Sequence, residues 1–119
     1  MQNVVVEKSL EFAIRMVKLF QYLEREKKEY VLSKQILRSG TSIGANVREA
    51  TQGLSKKDFT AKMSIALKEA HETEYWLEIL FRTQYLSERE YESIRADCAE
   101  LNKILIAIVK KGRSEGQEK

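Results

Sequence analysis

Proline is absent from the chain, and cysteine and histidine each occur once among its 119 residues. Because proline is the strongest breaker of helices, its absence together with a charged fraction of 33% predicts an all-α protein. A lone cysteine cannot form a disulfide within one chain, which agrees with a reducing compartment. No apolar run approaches the length that spans a membrane, and there is no basic leader segment. We therefore expect a soluble, cytoplasmic protein without a membrane partner.

The scarcity of histidine and cysteine also restricts the chemistry that the chain can carry. Zinc sites take several nitrogen and sulfur ligands, and a di-iron bundle needs Glu-x-x-His on each of two helices; His71 and Cys98 supply neither. Cys98 lies in the apolar stripe of the last helical segment, where a thiol acts as a small buried hydrophobe. We expect no enzyme activity, no catalytic residue, no metal site and no cofactor.

Apolar residues recur at helical spacing in four segments, at about residues 7–28, 33–52, 56–85 and 88–111. Four amphipathic helices with short connections predict a single domain over residues 1–119, folded as an antiparallel up-down-up-down four-helix bundle. Residues 112–119 contain no apolar side chain after the glycine at their start, and we expect this tail to be flexible.

The first helical segment carries two apolar stripes. One consists of Leu10, Ile14, Val17, and Phe20 or Gln21, and the other of Phe12, Met16, Leu19 and Leu23. One stripe is enough to face a bundle core, so the second predicts another partner. We expect a homo-oligomer that uses this helix as a subunit interface.

The stretch RSGTSIGANVRE at residues 38–49 places Gly40 and Gly44 four residues apart among small side chains. A phosphate-binding loop needs the spacing GxxxxGK[ST] after a strand, and neither the spacing, the lysine nor the strand is present. A helix surface cut back by Gly40, Gly44 and Ala45 instead indicates close helix packing. We expect a bulky side chain in the resulting groove: Trp76, Phe59 or Tyr75 of the third helix, or the aromatic side of a neighbouring subunit's first helix.

Five basic residues are candidates for phosphate contacts. They lie on the second helix and at the start of the third, and they are Lys34, Arg38, Arg48, Lys56 and Lys57. Such a stripe, with lysines near a helix N-terminus, can follow a phosphate backbone. In the other interpretation, Arg38 and Arg48 pair with Glu49 or with a neighbour's acids and hold the assembly together. The residues alone favour neither.

Three blocks of sequence resemble a known family. They are VLSKQILRSGTSIGANVREA at 31–50, SKKDFTAKMSIALKEAHETEYWLEIL at 55–80 and YLSEREYESIRADCAELNKIL at 85–105. They are similar to the four-helix-bundle proteins encoded in intervening sequences of bacterial 23S ribosomal RNA genes. His71 stands where such proteins commonly have asparagine.

The resemblance implies an antiparallel bundle whose subunits form a ring, a pentamer, around a central channel, and it brings no catalytic residues. Similar proteins include the accessory variability determinants of diversity-generating retroelements, basic pentamers that bind nucleic acid and partner with a reverse transcriptase. We therefore expect a non-catalytic oligomer that binds structured RNA or DNA, with a protein partner such as a reverse transcriptase. The alternative is a structural protein–protein assembly module without nucleic-acid binding.

Overall fold

The computed structural model describes residues 2–117, and within them the chain forms four α-helices and no strand. The helices are α1 (Gln2–Arg25), α2 (Leu32–Thr51), α3 (Lys56–Arg82) and α4 (Glu88–Gln117). The all-α class and the four helices are thus confirmed. No helix in the described part of the chain is both long enough and apolar enough to cross a membrane.

Local sequence explains where α3 and α4 begin. The Ser55 hydroxyl accepts a hydrogen bond of 3.1 Å from the backbone N–H of Asp58. At α4 the bonds are reciprocal: Ser87 Oγ accepts from the Glu90 N–H at 3.1 Å, and the Glu90 carboxylate accepts from the Ser87 N–H at 2.8 Å. This capping box satisfies two backbone donors that a helix start leaves without a partner.

The start of α2 uses a different device. The carboxylate of Glu29, which is only 8% exposed, accepts hydrogen bonds from the N–H groups of Val31, Leu32 and Ser33. Its negative charge therefore lies at the positive end of the α2 dipole. A glutamate three residues before a helix is not among the usual capping signatures, so this cap was missed by sequence reasoning.

Two helices end earlier than predicted, α1 at Arg25 rather than near 28 and α3 at Arg82 rather than near 85. Shortly after each end, a residue adopts the left-handed conformation: Lys28 with φ 55° and Gln84 with φ 72°. Neither residue is glycine, which is the usual marker of such a turn. The apolar pattern continues across both turns and so overstated the helix lengths.

The core settles which stripe of α1 faces inward. Phe12, Met16, Leu19 and Leu23 are buried together with apolar residues of the other three helices. Leu10, Ile14 and Val17 are 40%, 50% and 41% exposed, respectively. The outward stripe is therefore a surface apolar patch along α1.

Each helix packs against its neighbours in chain order, and α1 and α4 close the bundle. Gly44 on α2 lies against the backbone of Ser9 on α1. Two ion pairs join α1 to α4, Lys8 with Glu100 at 3.0 Å and Arg15 with Asp97 at 2.6 Å. The result is an elongated bundle of 52 × 22 × 21 Å.

The last helix extends beyond its predicted end near residue 111, because α4 continues through residues 112–117. Gly112 lies directly on the side chain of Thr60 near the start of α3. Glu115 reaches the Lys56 ammonium at 3.9 Å. These contacts with α3 supply packing that the apolar pattern of the tail does not reveal; residues 118–119 lie outside the described part.

Candidate nucleic-acid interface

The five predicted basic residues are all exposed, but they do not form one patch. Lys34 lies in the first turn of α2 and Arg48 in its last turn. Their separation of 14 positions corresponds to about 21 Å along the helix axis, at about 1.5 Å per residue. Lys56 and Lys57 begin α3, beyond the Arg48 end of α2.

Arg38 is engaged by acids of its own chain. Its guanidinium lies 3.6 Å from the Glu69 carboxylate and donates a hydrogen bond to Glu72. Glu72 also accepts a 3.2 Å hydrogen bond from the indole N–H of Trp76. The pairing interpretation therefore describes Arg38, although its partners are on α3 and not Glu49. This network joins α2 to α3 and leaves Arg38 less available to a phosphate.

Arg48 and Glu49 do not pair with each other. Glu49 lies 3.5 Å from Lys62 of α3. Arg48 lines a shallow groove between α1 and α2, together with Leu10 and Gly44. Within residues 2–117, neither Arg48 nor Lys34 has an ion-pair partner.

Gly40 and Gly44 both face α1. A methyl group at Gly40 would overlap the Met16 side chain, and one at Gly44 would lie 3.1 Å from the Ser9 carbonyl oxygen. Met16 of the same chain thus lies against Gly40, and the expectation that Trp76, Phe59 or Tyr75 of the third helix lies there is wrong. Ala45 is exposed and lies at the edge of the α1–α2 groove.

Lys56 and Lys57 meet two basic residues of α4, Lys111 and Arg113, because Gly112 rests on α3. We call these four side chains and the cavities between them the basic cleft. Two adjoining cavities occupy it, of about 630 and 570 Å³. Both are lined by Lys56, Thr60, Gly112 and Glu115, so α3 and α4 form their common wall.

The basic cleft concentrates positive charge that is not evident along the sequence. Segments 55–61 and 108–116 together hold five basic residues and two acidic ones. Sequence reasoning missed the α4 contribution because residues 87–119 are balanced overall, with their acids mostly early and the run KKGR late. Glu115, which lies 3.9 Å from Lys56 and lines both cavities, cancels one of these positive charges and leaves the four basic side chains in excess.

Cys98 is buried at 0% exposure, and its thiol donates to the Ala70 carbonyl oxygen at 3.6 Å. Burial, followed by the nearby charges of Glu74 and Asp97, raises the pKa of this thiol to about 12. A thiol that stays protonated is neither a nucleophile nor a metal ligand. Among residues 2–117, no cluster of histidine, cysteine and acidic side chains is arranged to hold a metal ion.

Comparison with known proteins agrees with this architecture. A solved structure of a protein of unknown function, from the S23 ribosomal protein family of Bacteroides thetaiotaomicron VPI-5482, is 62% identical to this chain. The similarity covers 92% of this chain and 97% of that one, with a TM-score of 0.90. No curated protein matches the sequence. The profile of the 23S rRNA-intervening sequence protein family matches residues 1–107, which confirms the resemblance: the chain belongs to that family.

Proposed function

We propose that this protein is a non-catalytic, oligomeric nucleic-acid-binding protein. The observation that carries the proposal is the basic cleft, in which Lys56 and Lys57 of α3 stand beside Lys111 and Arg113 of α4. Within residues 2–117, only Lys56 of these four has an ion-pair partner. The family's name, which refers to sequences inside ribosomal RNA genes, agrees with a nucleic acid as the ligand.

Contacts of this kind are sequence-tolerant. Lysine and arginine side chains on phosphates release condensed counterions, so they provide affinity without reading the bases. The first turn of α3, whose free N–H groups and dipole favour anions, adds to the field of Lys56 and Lys57. In this assignment Lys34 is a distant secondary contact, and Arg38 serves the joint between α2 and α3.

The proposal includes an antiparallel, up-down-up-down arrangement and a ring of subunits. The connections 26–31, 52–55 and 83–87 are too short for a return path along the bundle, which supports alternating helix directions. The outward stripe of Leu10, Ile14 and Val17 supports an interface on α1. Five subunits is the number that the family resemblance implies. Symmetry would then repeat the basic cleft once per subunit.

Fluorescence anisotropy tests the proposal, using a labelled RNA hairpin and a labelled DNA duplex at two salt concentrations. The mass of the protein is first established by light scattering. Affinity should fall steeply as salt rises, and the reversal Lys57→Glu/Arg113→Glu should reduce the salt slope by about 1.4 to 1.8, at about 0.7 to 0.9 per phosphate contact. The matched control Lys68→Glu/Lys103→Glu makes the same charge change at exposed positions outside the cleft, and it should bind more tightly than the cleft variant.

The second candidate is a protein–protein assembly module, and the exposed α1 stripe favours it. Docking onto an apolar surface responds little to salt, whereas phosphate contacts respond strongly. An intact oligomer that binds neither probe at low salt would support this module and refute the nucleic-acid proposal. Equal losses in the cleft and control variants would refute the cleft as the site.

A further inference from the structure

We propose that the basic cleft takes unpaired nucleotides, with a base in the larger cavity and a backbone phosphate of the same strand in the smaller one. The inference rests on the proposed function and names its substrate class, single-stranded rather than duplex nucleic acid. It follows from a difference in lining between the two cavities: the larger one has large apolar side chains and the smaller one has none.

The larger cavity has an apolar floor. Ala50 and Ile108, which are 2% and 8% exposed, and the half-buried ring of Phe59 form it. Its volume of about 630 Å³ lies within the range of about 300 to 1,000 Å³ that is usual for small-molecule sites. Lys56 and Lys111 stand at the rim. A flat, largely apolar body with an attached anion fits this combination.

The smaller cavity has a different character. Lys57, Arg113, Ala61 and Gly116 line it beyond the shared wall, and no large apolar side chain is present. A phosphate held there lies among the basic side chains of Lys56, Lys57 and Arg113, and the single carboxylate of the lining, Glu115, is paired with Lys56 at 3.9 Å. The two cavities lie on either side of the contact between Thr60 and Gly112, so a strand that crosses this contact can place a base in the first cavity and a backbone phosphate in the second.

Leu54 adds a further apolar surface at the mouth of the larger cavity. Its side chain is 98% exposed, and it lies in the connection between α2 and α3, next to Gly53. When a base occupies the cavity, the Leu54 side chain can pack against it. Leu54 and the apolar floor would then contact the two opposite faces of the base.

A duplex cannot use these features. Its bases are stacked on one another and present only their edges in the grooves, whereas an unpaired base offers a whole face for stacking. Duplex phosphates can reach the rim lysines and leave the apolar floor empty. The cleft should therefore distinguish a single strand from a duplex at equal salt.

The test compares a labelled single strand of twenty nucleotides with a blunt duplex of the same length, by anisotropy at matched salt. The single strand should bind at least about tenfold more tightly, as stacking of one or two bases would provide. A 2-aminopurine base within the strand should change its fluorescence on binding. Leu54→Ala should weaken the single strand several-fold and leave the duplex unchanged.

Val31→Ala is the matched control, because Val31 is 69% exposed in the connection between α1 and α2 and lies outside the cleft. It should alter neither affinity. Equal affinity for both probes, an unchanged 2-aminopurine signal and a neutral Leu54→Ala would overturn this inference. The Lys57→Glu/Arg113→Glu reversal distinguishes failure of this inference from failure of the proposed function. If the two probes bind equally and the reversal weakens both, the proposed function stands and the single-strand preference is refuted. Absence of any binding would overturn both.

Discussion

Glu29 offers the sharpest test of how the fold is held together. Its carboxylate accepts from three backbone N–H groups at the start of α2, at 3.1 Å from Val31, 3.0 Å from Leu32 and 2.7 Å from Ser33. The perturbation is Glu29→Ala, which removes the acceptor and its charge together. We expect a substantial loss of stability although Glu29 contributes nothing to the apolar core.

The magnitude depends on which donors water can reach. Val31 is exposed and Leu32 half-buried, so water can replace the lost acceptor at these two N–H groups, whereas Ser33 is fully buried. One buried donor without a partner costs about 1 to 3 kcal/mol. Loss of the charge at the helix N-terminus adds about 0.3 to 1 kcal/mol. The expected total is therefore about 1.3 to 4 kcal/mol.

Urea denaturation followed by circular dichroism measures this loss at a fixed protein concentration, because the stability of an oligomer depends on concentration. At about 4 °C per kcal/mol for a chain of this size, the melting temperature should fall by about 5 to 16 °C. Glu29→Gln retains one acceptor oxygen and should lose less. Glu26→Ala, at an exposed position in the same connection, is the control and should stay within about 0.5 kcal/mol of the parent protein.

Hydrogen exchange gives a second, local measurement. The amide of Ser33 should exchange faster in Glu29→Ala than in the parent protein, and amides in the middle of α3 should change only with global stability. If Glu29→Ala unfolds like Glu26→Ala and the Ser33 amide keeps its protection, the carboxylate does not cap α2 and the reasoning is refuted.

Three further predictions concern packing, assembly and pH. Gly40→Ala should destabilise the fold by about 1 to 3 kcal/mol, because the added methyl group overlaps Met16. In a double-mutant cycle, Gly40→Ala/Met16→Ala should lose less stability than the sum of the two single variants, and simple additivity would contradict the contact. Leu10→Glu/Ile14→Glu places charges on the exposed stripe, so light scattering should detect smaller assemblies while circular dichroism stays helical, and an unchanged mass would exclude this face as the interface. Burial raises the pKa of Cys98 from its ordinary value of 9.0 to about 12, so the thiol loses its proton at lower pH in the unfolded chain than in the folded protein. The free energy of unfolding should therefore fall as pH rises from about 9 towards 12, by up to about 1.4 kcal/mol per pH unit. Cys98→Ala should lack that part of the decline in urea titrations across this range, and parallel curves for the two proteins would contradict the buried thiol.

The sequence by itself determined the four helices and two of their starts. Apolar spacing is a local property of each segment, and the Ser87–Glu90 capping box closes within four residues, so neither depends on distant parts of the chain. The ends of α1 and α3 could not be predicted from apolar spacing. Lys28 and Gln84 adopt a left-handed conformation that side-chain identity does not mark.

Only the part of the candidate site that lies within one short segment could be predicted from the sequence. Lys56 and Lys57 were recognised as a basic pair at a helix start, a feature that lies within one short segment. Lys111 and Arg113 were not, because they join that pair only where Gly112 lies against Thr60, more than fifty residues away along the chain.

Tertiary structure alone decided three further points. The two stripes of α1 are similarly apolar, and only packing against α2 selected the one that contains Met16 for the core. Arg38 acquired its acids when α3 came alongside α2. The KKGR stretch of α4 became one wall of a cleft only when Gly112 met α3. Periodicity records which residues share a helix face, but which face meets which depends on the free energy of burying them together across the whole bundle.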